Sequence, residues 1–175
     1  MSFQLNKKEL ERFSRQIIIK NIGLLGQKKL KKSNVLIIGM GGLGCPVAET
    51  LTRAGVGIIG IVDNDIVNLS NLHRQGLFTT SDLKKSKAKI AKIKLNKINP
   101  KTKIQDYNVR LNKSNIKKII KLYDIIVDGT DNFYTKFLIN DYCLKYKKKL
   151  ISGSISKFDG HVFSYNFKNN NEPCL

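Results

Sequence analysis

The stretch "GMGGLGCP", residues 39–46, follows the apolar run "NVLII" and precedes "VAETLTRAGVG". Its spacing matches G-x-G-x-x-G, which is typical of a loop that holds a nucleotide phosphate against the backbone where a helix begins. The four glycines of the turn are Gly39, Gly41, Gly42 and Gly44. A tight turn between strand and helix would also need such glycines without a ligand. If a phosphate binds here, it belongs either to a dinucleotide redox cofactor or to ATP.

The surrounding sequence predicts a doubly wound sheet. Short apolar runs typical of buried strands alternate with segments of helical periodicity, as in βαβ units. The predicted strands are "NVLIIG" (34–39), "IIGIVD" (58–63), "TKIQDYNV" (102–109), the start of "DIIVDGTD" (124–131), "LISGS" (150–154) and an added antiparallel strand "GHVFSYNF" (160–167). The predicted helices are residues 43–54, 84–98, 114–122 with Ser114 as N-cap, and 133–147. Residues 64–82 are predicted to form a long polar loop.

We therefore predict an α/β fold of Rossmann-like type, with a mostly parallel open sheet and helices on both faces. Residues 1–32 are expected to form an N-terminal helical segment. Residues 33–175 are expected to form the nucleotide-binding α/β domain. Ligands of such sheets bind beyond the carboxyl ends of the strands, where the motif-bearing loops of this chain emerge.

Composition limits the function classes. The chain of 175 residues carries a formal net charge of +19, almost all of it from lysine spread along the sequence. Without a basic block interleaved with aromatic residues, we expect no nucleic-acid partner. No apolar run approaches the ~20 residues that span a bilayer, and the first residues lack the apolar core of a signal peptide. The three cysteines suggest no disulfide framework, so we expect a cytoplasmic protein without membrane association.

The residues after the second strand favour ATP. Asp63 ends that strand, where an acid binds the ribose of either nucleotide. The segment "NLSNLHRQ" (68–75) then supplies Asn71, Arg74 and Gln75 where a polyphosphate would lie. Lys87 lies close to a predicted helix start, and "GTDN" supplies Asp131 and Asn132. Two cations for phosphate oxygens and a carboxylate for Mg²⁺ fit ATP chemistry, although Arg74, Lys87 and Asp131 could each have an ordinary surface or capping role.

Seven segments together resemble the ThiF/MoeB/HesA family, relatives of the ubiquitin-activating enzymes. In chain order they are "RFSRQI", "GMGGLGCP", "VDNDIVNLSNLHRQ", "KKSKA", "INP", "VDGTDN" and "EPCL". The resemblance implies an adenylyltransferase that joins AMP from ATP to the C-terminal glycine of a ubiquitin-like sulfur-carrier protein ending in Gly-Gly. Pyrophosphate is released, and the carrier serves thiamine or molybdopterin synthesis.

The resemblance also implies roles for individual residues. The glycine turn lies on the nucleotide, Asp63 binds its ribose, and Asn132 adjoins it. Contacts to the phosphates are implied for Ser70, Asn71, Arg74 and Lys87, and binding of Mg²⁺ for Asp131. Arg15 is similar to an arginine that enters the partner subunit's site, which implies a homodimer. Arg15, Arg74, Lys87 and Asp131 are thus the candidate catalytic residues.

The sequence departs from the family at its end. Relatives commonly carry two C-x-x-C pairs that bind a structural zinc. Cys174 resembles the first of these ligands, but its partner would lie beyond Leu175, and one ligand makes no zinc site. Zinc is therefore not expected in this chain. Two other functions stay open from the residues: an NAD-dependent oxidoreductase of Rossmann type, and a non-catalytic binding module.

The remaining cysteines and histidines are expected to be structural. Cys45 lies in the glycine turn, where a small packing residue is expected rather than a nucleophile. Cys143 is expected in the core, and the isolated His73 and His161 show no spacing typical of a metal pair.

Overall fold

A computed structural model describes residues 4–168. The helices are α1 (Lys7–Arg12), α2 (Ser14–Ile17), α3 (Gly23–Lys32), α4 (Gly44–Ala54), α5 (Lys87–Ile98), α6 (Ile116–Ile120) and α7 (Phe133–Lys145). The strands are β1 (Asn34–Ile38), β2 (Ile58–Val62), β3 (Lys103–Tyr107), β4 (Ile125–Asp128), β5 (Lys149–Ser156) and β6 (Asp159–Asn166). These bounds confirm the alternation of strands and helices that the sequence predicts.

The strands form one sheet in the order β3-β2-β1-β4-β5-β6. All neighbouring pairs are parallel except β5 with β6, which is antiparallel. The strand order reverses between β1 and β4, so the crevice at their carboxyl ends is the expected ligand site of this topology. The predicted α/β fold class and the added antiparallel strand are both confirmed.

Two apolar layers cover the sheet. On one face α4 and α5 pack against β1 and β2 through residues such as Ala48 and Ala91. On the other face α6 and α7 pack through residues such as Ile120 and Ile139. Burial on both sides explains why β1 and β2 are continuous apolar runs rather than alternating ones. Cys45 and Cys143 are both buried free thiols in these layers, as the sequence predicts.

The N-terminal helices attach to the end of α4. Gln27 donates from Nε2 to the carbonyl of Ala54 at 2.9 Å, and Gln16 donates to the same carbonyl at 3.2 Å. Gly55 follows in the left-handed region at φ 86°, which ends α4 as expected. The helical character of residues 4–32 agrees with the sequence, while their separation as a unit from residues 33–175 stays a prediction.

Two predicted helix starts are wrong. The helix expected from residue 84 begins at Lys87, because Lys84 has a positive φ of 63° and the Ser86 side chain caps the backbone N–H of Lys89. Ser114 is not an N-cap: the helix begins at Ile116, and the side chain of Asn112 accepts bonds from the Ser114 region instead. The loop 64–82 is long, as predicted, but contains two single-turn 3₁₀ helices, Leu69–Asn71 and Thr80–Asp82.

Between residues 4 and 168, no helix has both the length and the apolar character that crossing a membrane requires.

Candidate nucleotide site

The glycine turn joins β1 to α4 at the carboxyl edge of the sheet. Gly39 has a φ of 90°, and a Cβ there would lie 3.0 Å from the carbonyl oxygen of Gly129. A Cβ at Gly44 would overlap the Gly39 carbonyl oxygen. Packing alone therefore requires glycine at these two positions. Gly41 instead meets open space, which is what a position facing a ligand needs.

Asp63 ties the turn to the end of β2. Its Oδ2 accepts the backbone N–H of Met40 at 2.6 Å, and its Oδ1 accepts the N–H of Asp65 at 2.7 Å. Burial raises the pKa of Asp63, and these two backbone N–H groups oppose the rise. Since each carboxylate oxygen can accept a further bond, the group can both hold the turn and receive ribose hydroxyls.

The side chain of Arg74 lies over the glycine turn. A Cβ at Gly42 would lie 3.4 Å from Cδ of Arg74. The guanidinium Nη1 lies 3.4 Å from the Ser70 carbonyl oxygen and 3.3 Å from Nε2 of His73. Among residues 4–168, Arg74 takes part in no salt bridge, so its charge is available to an anion lying on the turn.

Other residues of the same segment differ in exposure. Ser70 is exposed and Asn71 is half-buried, at the 3₁₀ turn beside Arg74. Gln75 is buried, with 3% of its surface exposed, and its position beside a polyphosphate stays a prediction.

Lys87 is not a solvated surface lysine. Only 4% of the residue is exposed, and its Nζ lies 3.2 Å from Oδ2 of Asp65. The Asp65 side chain is itself 61% exposed. The buried ammonium is therefore held by one carboxylate that faces solvent, and a phosphate oxygen entering from solvent could take over that contact.

The buried thiol beside these groups is unreactive at neutral pH. Burial raises the pKa of Cys45 to about 12, although the neighbouring Lys87 acts to lower it. Its Sγ lies 3.4 Å from the Met40 carbonyl. Because the thiolate is the nucleophilic form, Cys45 acts as a packing residue.

The loop after β4 brings Asp131 and Asn132 to the same edge of the sheet. Gly129 donates its N–H to Ile38 at 2.9 Å, which holds this loop beside the end of β1. Asn132 is the N-cap of α7 and accepts the N–H of Thr135 at 2.9 Å. Asp131 does not cap the helix and is exposed, so its carboxylate is free for a cation in solvent.

Arg15 lies apart from this edge. It belongs to α2, whose neighbouring Gln16 contacts Ala54 at the carboxyl end of α4. The glycine turn lies at the other end of α4, which at 1.5 Å per residue is about 16 Å away. That distance exceeds the reach of an arginine side chain, so Arg15 does not reach the glycine turn of this chain.

Sequence reasoning missed two acids and one lysine. Asp65 holds Lys87, and a buried pair between Asp128 and Lys136 underlies the Asp131 loop. Position after a strand could have indicated the two aspartates. Cys174 lies outside the described residues. Within the described range 4–168, no group of three or more His, Cys, Asp or Glu side chains is arranged to hold a metal ion.

The strand order and the glycine turn define a doubly wound α/β protein. The ThiF family model matches residues 13–175, and this chain belongs to the ThiF family.

Similar proteins carry adenylyltransferase names. The probable molybdopterin-synthase adenylyltransferase of Porphyra purpurea is 47% identical over 160 residues, covering 91% of this chain and 42% of that protein. The sulfur carrier protein adenylyltransferase of Thermus thermophilus is 45% identical over 156 residues, covering 89% of this chain and 58% of that protein. This chain thus matches only about half of their length.

Solved structures of similar fold include those of MccB. Escherichia coli MccB determined with MccA-N7isoASN superposes with a TM-score of 0.85 at 27% identity, covering 98% of this chain and 50% of that one. MccB determined with ATP gives a TM-score of 0.75 at 30% identity, covering 85% and 46%. The predicted family is confirmed, and the oxidoreductase alternative is not favoured.

Proposed function

We propose that this chain binds ATP on the glycine turn and transfers AMP to the C-terminal glycine carboxylate of a ubiquitin-like sulfur-carrier protein ending in Gly-Gly. The observation that carries the proposal is the convergence at one sheet edge of an open glycine, a ribose-type carboxylate and two cations, Arg74 and Lys87. The names of the relatives support this reaction. The Porphyra relative favours a carrier for molybdopterin synthesis over one for thiamine.

The reaction needs alignment and charge neutralisation more than a side-chain nucleophile. An oxygen of the carrier carboxylate attacks the α-phosphorus of ATP, the bond to the β-phosphate oxygen breaks, and pyrophosphate leaves. Asp63 would fix the ribose. Arg74 and Lys87 would neutralise charge that develops on the phosphates.

Mg²⁺ is part of the proposal. Mg²⁺ at nucleotide sites keeps several waters and binds through one or two carboxylates plus phosphate oxygens. The single exposed carboxylate of Asp131 fits that donor set. When bound, the ion would neutralise phosphate charge.

We also propose that the protein is a homodimer in which Arg15 enters the partner's site. The distance between Arg15 and the glycine turn of the same chain supports this arrangement, since the guanidinium cannot reach a nucleotide bound there. The exposed side chains of Ile18 and Ile19 follow Arg15 and offer an apolar surface to a second copy.

A protein substrate is supported by an aromatic patch beside the Asp131 loop. Phe133 is 78% exposed and Phe137 is 50% exposed, and their rings stack with centroids 6.5 Å apart. Exposed apolar patches of this kind are typical of protein-docking surfaces. The cytoplasm is the proposed location, because the free thiols of Cys45 and Cys143 suit a reducing compartment.

The test is ATP–pyrophosphate exchange. Labelled pyrophosphate should enter ATP only when the chain, Mg²⁺ and a carrier ending in Gly-Gly are all present. A carrier lacking its last glycine is the matched control. Tight binding of NAD without binding of ATP would replace the proposal with the oxidoreductase, and binding of the carrier without any pyrophosphate exchange would replace it with the binding module.

A further inference from the structure

A buried ion pair lies directly beneath the Asp131 loop. Lys136 of α7 donates from Nζ to Oδ2 of Asp128, the last residue of β4, at 2.9 Å. Asp128 is 2% exposed and Lys136 is 8% exposed. Ser152 of β5 donates to the same Oδ2 at 2.8 Å, and Lys136 also donates to the Gly153 carbonyl at 2.8 Å. The pair therefore joins α7, β4 and β5 at one point.

The other oxygen of Asp128 holds the loop. Its Oδ1 accepts the backbone N–H of Thr130 at 2.9 Å and the Thr130 hydroxyl at 2.7 Å. Thr130 directly precedes Asp131. A continuous series of hydrogen bonds thus runs from Lys136 through Asp128 to Thr130, the residue directly before the one that carries the proposed Mg²⁺ carboxylate.

The loop has little room to shift. Gly129 packs against the glycine turn so closely that a Cβ at Gly129 would lie 3.3 Å from the Gly44 nitrogen. Because Gly129 is fixed against the glycine turn, a movement of Thr130 would move the adjacent Asp131 relative to that turn. Acceptance of both Thr130 donors by the single Oδ1 of Asp128 sets the direction of the loop at this point.

The presence of a buried ion pair at this position, in place of two apolar side chains, needs an explanation. Most lysines of this chain are exposed, and among residues 4–168 only Lys87 and Lys136 are buried. An apolar pair of similar volume is often as stable as a buried ion pair, because desolvation offsets the attraction. Fixing the geometry of neighbouring groups is then the role that a buried pair can serve and an apolar pair cannot.

We propose that Lys136 is a positioning residue for adenylyl transfer: through Asp128 and Thr130 it sets the position of the Asp131 carboxylate at the nucleotide site. Lys136 touches no substrate. This inference rests on the proposed function for its catalytic consequence, but its structural content concerns the order of the loop alone.

Two variants interrupt this series of hydrogen bonds without leaving a buried charge unpaired. Thr130→Val removes the hydroxyl bond and keeps the backbone bond. The double variant Asp128→Asn with Lys136→Met removes both charges together. Lys136→Arg keeps the cation and should recover most of the activity. Lys145→Met, an exposed position on the same helix, is the control.

The first readout is amide hydrogen exchange, which needs no activity. Exchange at Gly129–Asn132 should accelerate at least about tenfold in both variants, as expected for loss of hydrogen bonds to a charged group. The β1 and β2 amides should keep their protection. Unchanged exchange in the loop of the folded variants would overturn the inference, whether or not the chain adenylylates a carrier.

The second readout is the kcat–KM split in ATP–pyrophosphate exchange. In Thr130→Val and in the double variant of Asp128 and Lys136, kcat should fall about tenfold and half-saturation by Mg²⁺ should need more ion, while KM for ATP stays within about twofold. Equal kcat and equal Mg²⁺ dependence would make the pair merely structural. If the parent protein shows no ATP–pyrophosphate exchange, the proposed function fails. The amide hydrogen exchange measurement still decides the inference about the loop.

Discussion

Lys87 and Asp65 form a salt bridge with 3.2 Å between Nζ and Oδ2, in which the lysine is buried and the aspartate faces solvent. The backbone N–H of Lys87 also donates to the Asp65 carbonyl at 3.0 Å. The ammonium is thus held beside the glycine turn before any phosphate arrives. Binding of ATP would exchange one anionic partner for another.

The Asp65→Asn variant should bind ATP more tightly than the parent. Asp65 competes with phosphate for Lys87, and a partly exposed ion pair of this kind is worth at most about 1 kcal/mol, so the gain should reach up to about fivefold in Kd. The melting temperature without ATP should fall, because Lys87 loses its partner. Isothermal titration and thermal melts measure both. Lys87→Met is the matched control and should bind ATP more weakly; weaker binding in Asp65→Asn as well would show that Asp65 supports the site instead of competing.

The affinity for ATP should depend on the protonation of Asp63. Burial raises the pKa of Asp63, so it takes up a proton at a higher pH than an ordinary aspartate at about 3.9. Below its pKa the group loses acceptor capacity for ribose hydroxyls, and ATP affinity should fall as the pH is lowered. Asp63→Ala should weaken binding at neutral pH by about 1–3 kcal/mol.

The Asp63→Asn variant controls for titration of the phosphates. Its affinity should lack the part of the pH dependence that Asp63 causes. Protonation of Asp63 does not itself destabilise the fold, because a carboxyl whose pKa is raised in the folded state stabilises the fold as the pH falls from that pKa towards about 3.9. Parallel profiles of parent and Asp63→Asn would remove Asp63 from the site.

Arg74→Ala should slow adenylate formation more than it weakens ATP binding. The guanidinium lies over Gly42 and is free of acidic partners among the described residues, so it can meet charge that develops during transfer. Loss of one such group costs about a hundredfold in kcat. Arg53→Ala, which removes an exposed arginine paired with Glu49 near the far end of α4, should leave the rate unchanged. Equal exchange rates in the two variants would make Arg74 a surface cation.

Arg15→Ala and Asp131→Ala should complement each other. If Arg15 acts across a two-fold interface, each variant alone is inactive, but a mixed dimer contains one intact site. Free exchange of subunits places about half of the molecules in mixed dimers and restores about a quarter of the parental sites. The measurement is pyrophosphate exchange after verified subunit exchange in an active parent. No recovery would place Arg15 outside the partner's site.

Much of this fold could be predicted because its signals are local. Continuous apolar runs identify β1 and β2, and the glycine spacing identifies the turn and α4. Helix starts were less predictable: Ser86 and Lys84 decide where α5 begins, and Asn112 displaces Ser114 as the local acceptor. Such competition between neighbouring polar side chains does not appear in hydrophobic periodicity.

The sequence could predict those residues of the candidate site that lie close to the glycine turn. Asp63, Arg74 and Lys87 meet around the glycine turn as expected. Lys136 was not predictable, because a lysine in a lysine-rich chain looks the same in sequence whether it faces solvent or a buried aspartate. Its role appears only when α7 folds onto the ends of β4 and β5.

The proposed enzyme should transfer the adenylyl group of ATP, with its α-phosphate, to a carrier carboxylate. The chain should be incubated with Mg²⁺, a carrier ending in Gly-Gly and ATP labelled at the α-phosphate, and in a parallel reaction with ATP labelled at the γ-phosphate. Label from the α-phosphate should appear on the carrier, should be absent with a carrier that lacks its last glycine, and should be released by hydroxylamine as AMP. Absence of α-label on the carrier, with a chain shown to bind ATP, would contradict the account.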